Sequence, residues 1–205
     1  MLMTQLPGFT EITRDSQKTF RALLEALSEP GLVREVTVEI APPEGMTLAC
    51  AAACLSLFDF ETVVWLQPGF SEDVQSWLRF HTGCRFTSEP DQAAFVVAHT
   101  LADINLSELC WGSAEAPELS ATLLAQVSAI QSGHEVVLSG PGILDERTVS
   151  PVLPMGFWKD WLGNQRAYPR GVDVFLFDDK VVMGLPRTTC VRTISDQATN
   201  AHLGE

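Results

Sequence analysis

Residues 168–191 read YPRGVDVFLFDDKVVMGLPRTTCV, and the fold is decided there. Residues 172–177 and 180–185 are apolar runs rich in Val and Phe, divided by Asp178 and Asp179. That pattern predicts two antiparallel strands joined by a tight acidic turn. Neither run alternates cleanly between apolar and polar residues, so both strands are expected to be central and covered on two faces. Pro186 removes a backbone donor and ends the ladder. Setting Phe177 opposite Lys180 puts Asp173 across from Gly184 and Gly171 opposite Pro186, with Arg187 just beyond, where it can meet Asp173.

An aspartate in such a run costs roughly several kcal/mol of desolvation unless it is paired. Two readings follow. In one, Asp173 and Arg187 form a structural ion pair that fixes the exit of the hairpin. In the other, Arg187, Thr188 and Thr189 form an anion clamp, since a guanidinium fork with hydroxyls suits a phosphate or phosphonate. Strand alternation puts Arg187 and Thr189 on one face and Thr188 on the other, so the three converge only if the chain turns.

A chain of 205 residues is long enough for one domain with a proper core, spanning 1–205 with a polar tail, residues 196–205, expected to be disordered. The net charge of -13 disfavours nucleic acid as a partner and repels small anions at long range. An anionic ligand would need a local cation cluster, and the cations are mostly arginine, with lysine only at 18, 159 and 180. Cys50, Cys54, Cys84, Cys110 and Cys190 are scattered. Cys50 and Cys54, four apart in LACAAACLSLF, share one face of a buried helix and do not make a zinc knuckle. They read as small core residues of a cytoplasmic protein. No signal peptide or membrane span is expected.

Along the chain, residues 15–28 predict an amphipathic helix with Phe20, Leu23, Leu24 and Leu27 on its core face, ended by Glu29-Pro30-Gly31. Residues 32–40 alternate as a half-exposed strand, residues 47–58 form an alanine-rich buried helix, and residues 62–66 form a short strand. Ser71 caps the next helix and Gly83 closes it. Residues 95–99 predict a strand, and residues 107–111 a short helical turn. Residues 123–130 and 135–139 read as a second hairpin, although residues 121–130 also fit a helix. Residues 155–165 carry Phe157, Trp158, Trp161 and Leu162 at helical spacing. The whole is an α/β chain with a mixed central sheet.

Arg79, His81 and Thr82, in RFHT at a helix end, could hold an anion or move a proton. Residues two apart on a helix point roughly 160° apart, so Arg79 and His81 converge only if the helix has already ended. The alternative is that both are simply cations favoured at a helix C-terminus. Ser139-Gly140-Pro141-Gly142 lacks the Lys-Ser/Thr of a nucleotide-binding loop and reads as a sharp turn. His99 and His134 have no metal-binding spacing, and no nucleophile elbow or Ser-His-Asp arrangement is present. These residues alone specify arginines on a rim and no legible reaction.

TFRALLEALSEPG from 19, RFHT from 79, GSAEAPELSATLLAQVSAI from 112, LSGPGILDERTVSPVLP from 138, YPRGVDVFLF from 168 and LPRTTCV from 185 together resemble the PhnH family. This family is the H subunit of the bacterial carbon-phosphorus lyase system for phosphonate breakdown. The resemblance runs from Phe20 to Val191. It implies an accessory subunit acting with subunits G, I and L to displace adenine from MgATP by methylphosphonate, giving ribose 1-methylphosphonate 5-triphosphate. Subunit J later cleaves the carbon-phosphorus bond. It further implies a core assembly with G, I and J, a possible homodimer, and a fold similar to pyridoxal-phosphate-dependent transferases without that cofactor. MgATP is then a substrate of the complex, not a cofactor of this chain. Lys18 on an exposed helix face, Lys159 before an amphipathic turn and Lys180 at a hairpin tip are poor Schiff-base residues. On this reading Arg79, His81, Thr82, Arg187 and Thr188 hold an anion or another subunit, and no catalytic residue or metal site is assigned. A stand-alone phosphonate- or phosphate-ester-processing enzyme with an arginine anion clamp is the competing expectation.

Overall fold

A computed structural model describes residues 6–193; the tail expected to be disordered, residues 196–205, lies outside the described residues. The chain runs α1 (Ile12–Ser28), β1 (Val33–Glu35), α2 (Leu48–Leu57), β2 (Val63–Leu66), α3 (Glu72–Thr82), β3 (Arg85–Phe86), β4 (Phe95–Ala98) and β5 (Thr122–Gln126). It continues through β6 (Val136–Ser139), β7 (Arg147–Val149), α4 (Phe157–Arg166), β8 (Asp173–Asp178), β9 (Val181–Leu185) and β10 (Cys190–Thr193). Seven strands form a mixed sheet in the order β1-β9-β8-β5-β4-β2-β3, and β10-β6-β7 form a small antiparallel sheet. Strands β3, β2, β4, β5 and β8 are parallel, while β9 runs antiparallel to both β8 and β1.

The continuous apolar runs of β8 and β9 follow from this position. Phe175, Phe177 and Val182 face a core shared with residues of α1, α2 and α3. Val174, Leu176, Met183 and Leu185 face a second core with Phe157 and Trp161 of α4 and Leu138 of the small sheet. Alternate residues enter different cores, so neither strand has a polar face. The hairpin is two residues out of the expected register. Phe175, not Asp173, pairs with Gly184, and Asp178 pairs with Val181. Asp179 and Lys180 make a two-residue loop, with Asp179 in the left-handed region at φ 42°, a conformation that Asp tolerates. A slip of two leaves every side chain on its predicted face.

The expected second hairpin does not form. Strand β5 lies inside the large sheet, parallel to β4 and β8, while β6 pairs with β7 and β10 in the other sheet. Leu124 enters one core and Leu123 and Ala125 the other, so β5 is suited to a central position. The strand expected over residues 32–40 shrinks to β1, because the sheet ends there. Val36 and Val38 stay buried without a ladder. Arg34 of β1 is held by Glu29 and by Glu25 at 3.5 Å.

Helix α1 is rotated from its predicted face. Phe20 and Leu24 are 51% and 56% exposed, whereas Asp15, Thr19, Leu23 and Ala26 are buried. Small residues win because the helix backbone lies directly on β9: a Cβ at Gly184 would meet the Ala26 carbonyl oxygen at 2.4 Å. Replacing Gly184 by Ala is therefore expected to destabilise the chain by about 1–3 kcal/mol through overpacking, read as a lower urea midpoint with an unchanged m value.

The cysteines are free, with Cys50, Cys54 and Cys84 buried. Burial, reinforced by Cys50, pushes the Cys54 thiol well up. Burial also raises Cys84, outweighing the Thr82 hydrogen bond and the Arg79 charge. These folded thiols keep protons that the unfolded chain loses, so their contribution to stability is complete below the ordinary thiol range of about 8.5 and declines as pH rises above it. Ellman's reagent at pH 8 is expected to modify Cys110 and Cys190 in the folded chain and all five cysteines only in urea.

Candidate functional site

In a parallel sheet the usual ligand crevice opens at the carboxyl ends of the strands, where successive connections leave on opposite faces. Here that point lies between β2 and β4. After β2 the chain enters α3, whose Val74, Trp77 and Leu78 join one core; after β4 it passes through Leu101, Leu106 and Leu109, which join the other. The crevice is filled by the chain itself. Gln67, 4% exposed, accepts on Oε1 from the backbone N–H groups of His99 at 3.0 Å and Thr100 at 3.2 Å. His99 packs edge-on against Phe70 and stacks so closely over Gly69 that a Cβ there would lie 2.6 Å from Nε2.

Beside this plug lies a hollow of about 590 Å³ lined by Thr47, His99, Gln126, Ser128, Asp178 and Asp179 among others. Gln126 is a second buried amide. It accepts from the Thr47 N–H and donates from Nε2 to the Gly45 carbonyl at 2.8 Å, tying the start of α2 to the end of β5. With two aspartates and no lysine or arginine in the lining, the hollow repels a phosphate-like anion. Neither glutamine belongs to a motif. The signal that could have found them is an amide directly at the carboxyl end of a buried strand, as in VVWLQ and TLLAQ.

The predicted site residues lie at the opposite, amino edge of the sheet, in two groups. Helix α3 continues to Thr82 and Gly83 closes it at φ 74°, so Arg79 and His81 diverge. The Arg79 guanidinium sits 5.3 Å from the Phe86 ring centroid. His81 packs between the Trp77 and Phe80 rings, and its Nε2 and the Trp77 Nε1 share the Leu6 carbonyl at 3.0 and 2.9 Å. Gly8 passes directly over the imidazole. Thr82 donates to the Leu78 carbonyl and accepts from the Cys84 N–H. His81 and Thr82 are thus engaged in local structure: one holds the N-terminal segment, the other finishes the helix. Ser71, expected to cap α3, occupies the cap position without a side-chain hydrogen bond.

The second group centres on Arg187. Its Nη2 donates to Asp173 Oδ2 at 2.6 Å and its Nε to Oδ1 at 3.1 Å, while its backbone N–H reaches the same Oδ1 at 2.7 Å. Nη1 donates to the carbonyls of Pro117 at 3.0 Å and Pro169 at 3.4 Å. The fork is therefore spent on the chain's own acceptors. Thr189 is buried and its carbonyl accepts from Trp161 Nε1 at 2.9 Å, while Thr188 is half-buried. The expected glycine turn at residues 139–142 is present and packs onto the end of α1, where a Cβ at Gly142 would strike the Ser28 carbonyl. Arg79 stands beside β3 and Arg187 beside the start of β8, four inter-strand steps or about 19 Å apart, so the two cannot grip one small anion.

Removing Arg187 strands a partly buried carboxylate, so Arg187→Ala is expected to cost about 2–3 kcal/mol in urea unfolding. Arg187→Lys should recover less than half of that, because an ammonium cannot make the bidentate pair and also span two carbonyls.

Residues 7–192 match the family model for bacterial phosphonate metabolism protein (PhnH). The subunit PhnH of alpha-D-ribose 1-methylphosphonate 5-triphosphate synthase from Rhizobium meliloti (strain 1021) is 33% identical over 185 residues, covering 89% of this chain and 92% of that protein. A Stutzerimonas stutzeri protein described as a C-P lyase subunit, HtxG, is 41% identical over 80 residues, 38% of this chain and 40% of that one. The chain therefore belongs to the PhnH family of bacterial phosphonate metabolism proteins.

Proposed function

We propose that this chain is the H subunit of a carbon-phosphorus lyase system, required with the G, I and L subunits to form ribose 1-methylphosphonate 5-triphosphate from MgATP and methylphosphonate with release of adenine. The observation that carries the reading is the end-to-end similarity to the R. meliloti synthase subunit. The arrangement of polar groups agrees with an accessory role. Arg187, His81 and Thr82 are bonded within the chain, and the hollow at the carboxyl edge has the wrong charge for a phosphonate. In this reading Arg79, His81, Arg187 and Thr188 shape a surface for other subunits of the assembly, including G, I and J, and take no part in nucleophilic chemistry. The chain works in the cytoplasm, alone or as a homodimer before assembly.

The same proposal includes a fold akin to the pyridoxal-phosphate-dependent transferases with the cofactor lost. Its support is the seven-stranded mixed sheet together with the three lysines, Lys18, Lys159 and Lys180, all of which are exposed. A Schiff-base lysine works desolvated beside its cofactor, and the residues present do not fit that group.

The test is adenine release from MgATP and methylphosphonate by reconstituted partner subunits with and without this chain. Release that needs the chain is the expected result. Equal release in its absence would remove it from the transferase step.

A further inference from the structure

The segment from the last residue of α4 to the start of β8, residues 166–172, is held more firmly than its exposed side chains require. Asn164, fully buried at its base, donates from Nδ2 to the Val172 carbonyl at 2.9 Å and accepts on Oδ1 from the Val172 N–H at 2.8 Å. The Gly171 N–H donates to the Trp111 carbonyl at 3.0 Å. At φ 123° Gly171 lies so close to Asn164 that a Cβ would be 2.6 Å from Oδ1. Arg187 Nη1 then ties the Pro169 carbonyl to that of Pro117, joining this loop to the turn before β5.

What the clamped loop displays is Arg166, Tyr168 and Arg170, all exposed, with Tyr168 the single tyrosine of the chain and 63% exposed. Across the Arg187 bridge stands Leu119, 68% exposed. No described partner engages Arg166 or Arg170; on the adjoining segments Glu115, Glu118 and Asp160 are exposed, and Asp173 is already held by Arg187. Tyr and Arg on a rigid support are the residues that carry binding energy in protein interfaces, because little order is lost when they are covered. In a chain of net charge -13, two free arginines beside an exposed ring and an exposed leucine form a local inversion of charge.

We infer that Leu119, Arg166, Tyr168 and Arg170 form a docking surface for an acidic, partly apolar face of a partner subunit. The inference rests on the accessory-subunit reading above. A protein face is favoured over a small polyanion because a phosphate would leave Leu119 and Tyr168 wet, whereas a face with carboxylates around an apolar centre covers all four residues. Opposite charge also steers such an encounter and makes it salt-dependent.

The experiment measures association of the chain with the reconstituted partner subunits by biolayer interferometry over a range of salt concentrations. Wild type is compared with R166E/R170E, with Y168A, and with R14E/R21E on α1, across the sheet. The first two variants should keep the wild-type circular dichroism and melting temperature yet bind at least tenfold more weakly. R166E/R170E should also lose most of the salt dependence, and R14E/R21E should bind as wild type does. Equal binding by wild type, R166E/R170E and Y168A would overturn the docking surface while leaving the accessory role intact. No binding by wild type would overturn both. Loss of tripolyphosphate binding in R166E/R170E with subunit association unchanged would replace the protein face by a small-anion site, and loss of self-association alone would replace it by a second copy of this chain.

Discussion

A carboxylate at the foot of a strand covered on both faces must find its counter-charge within the chain, and the amino edge of this sheet is arranged around that demand. Asp173 takes both the side chain and the backbone N–H of Arg187. Because the guanidinium has donors left over, it reaches on to Pro117 and Pro169. One desolvated charge thus fixes the exit of β9, the approach to β5 and the approach to β8. The cost of burying Asp173 is offset by bonds that also give three loops a common anchor.

The two ends of the sheet consequently have opposite characters. At the carboxyl end, where open α/β sheets usually bind ligands, Gln67 satisfies two strand-end amides and Asp178 and Asp179 face the remaining hollow. At the amino end the arginines gather, yet Arg187 is bonded to Asp173, Pro117 and Pro169, and Arg79 lies against an aromatic ring. The crevice is thus closed by uncharged amides, while the paired charge lies at the other end of the same sheet.

The central hairpin was legible because two unbroken apolar runs around an acidic pair leave few alternatives. Its register was not, since Asp178-Asp179 and Asp179-Lys180 are equally good loops on paper and a shift of two conserves the faces. Strand β5 departs from the hairpin its sequence suggests because its neighbours, β4 and β8, are far away in sequence. On α1, hydrophobic weight favoured Phe20 and Leu24, but the contact with β9 selects for small size, and Ala26 and Thr19 take the buried side. At the site, Asp173 and Arg187 could be matched by counting along a hairpin. Gln67 and the group Leu119, Arg166, Tyr168 and Arg170 could not, because uncharged amides form no motif and the exposed group is assembled from two distant loops.

The sheet's outer strands have a bearing on how the chain behaves when crowded. One edge is three residues long and carries Arg34 fixed by Glu25 and Glu29; the other is two residues long. Neither offers the row of free backbone groups that templates a further strand, and the longer of them guards its flank with charge. The molecule can keep an apolar seven-stranded sheet at its heart and still resist self-templated fibril growth.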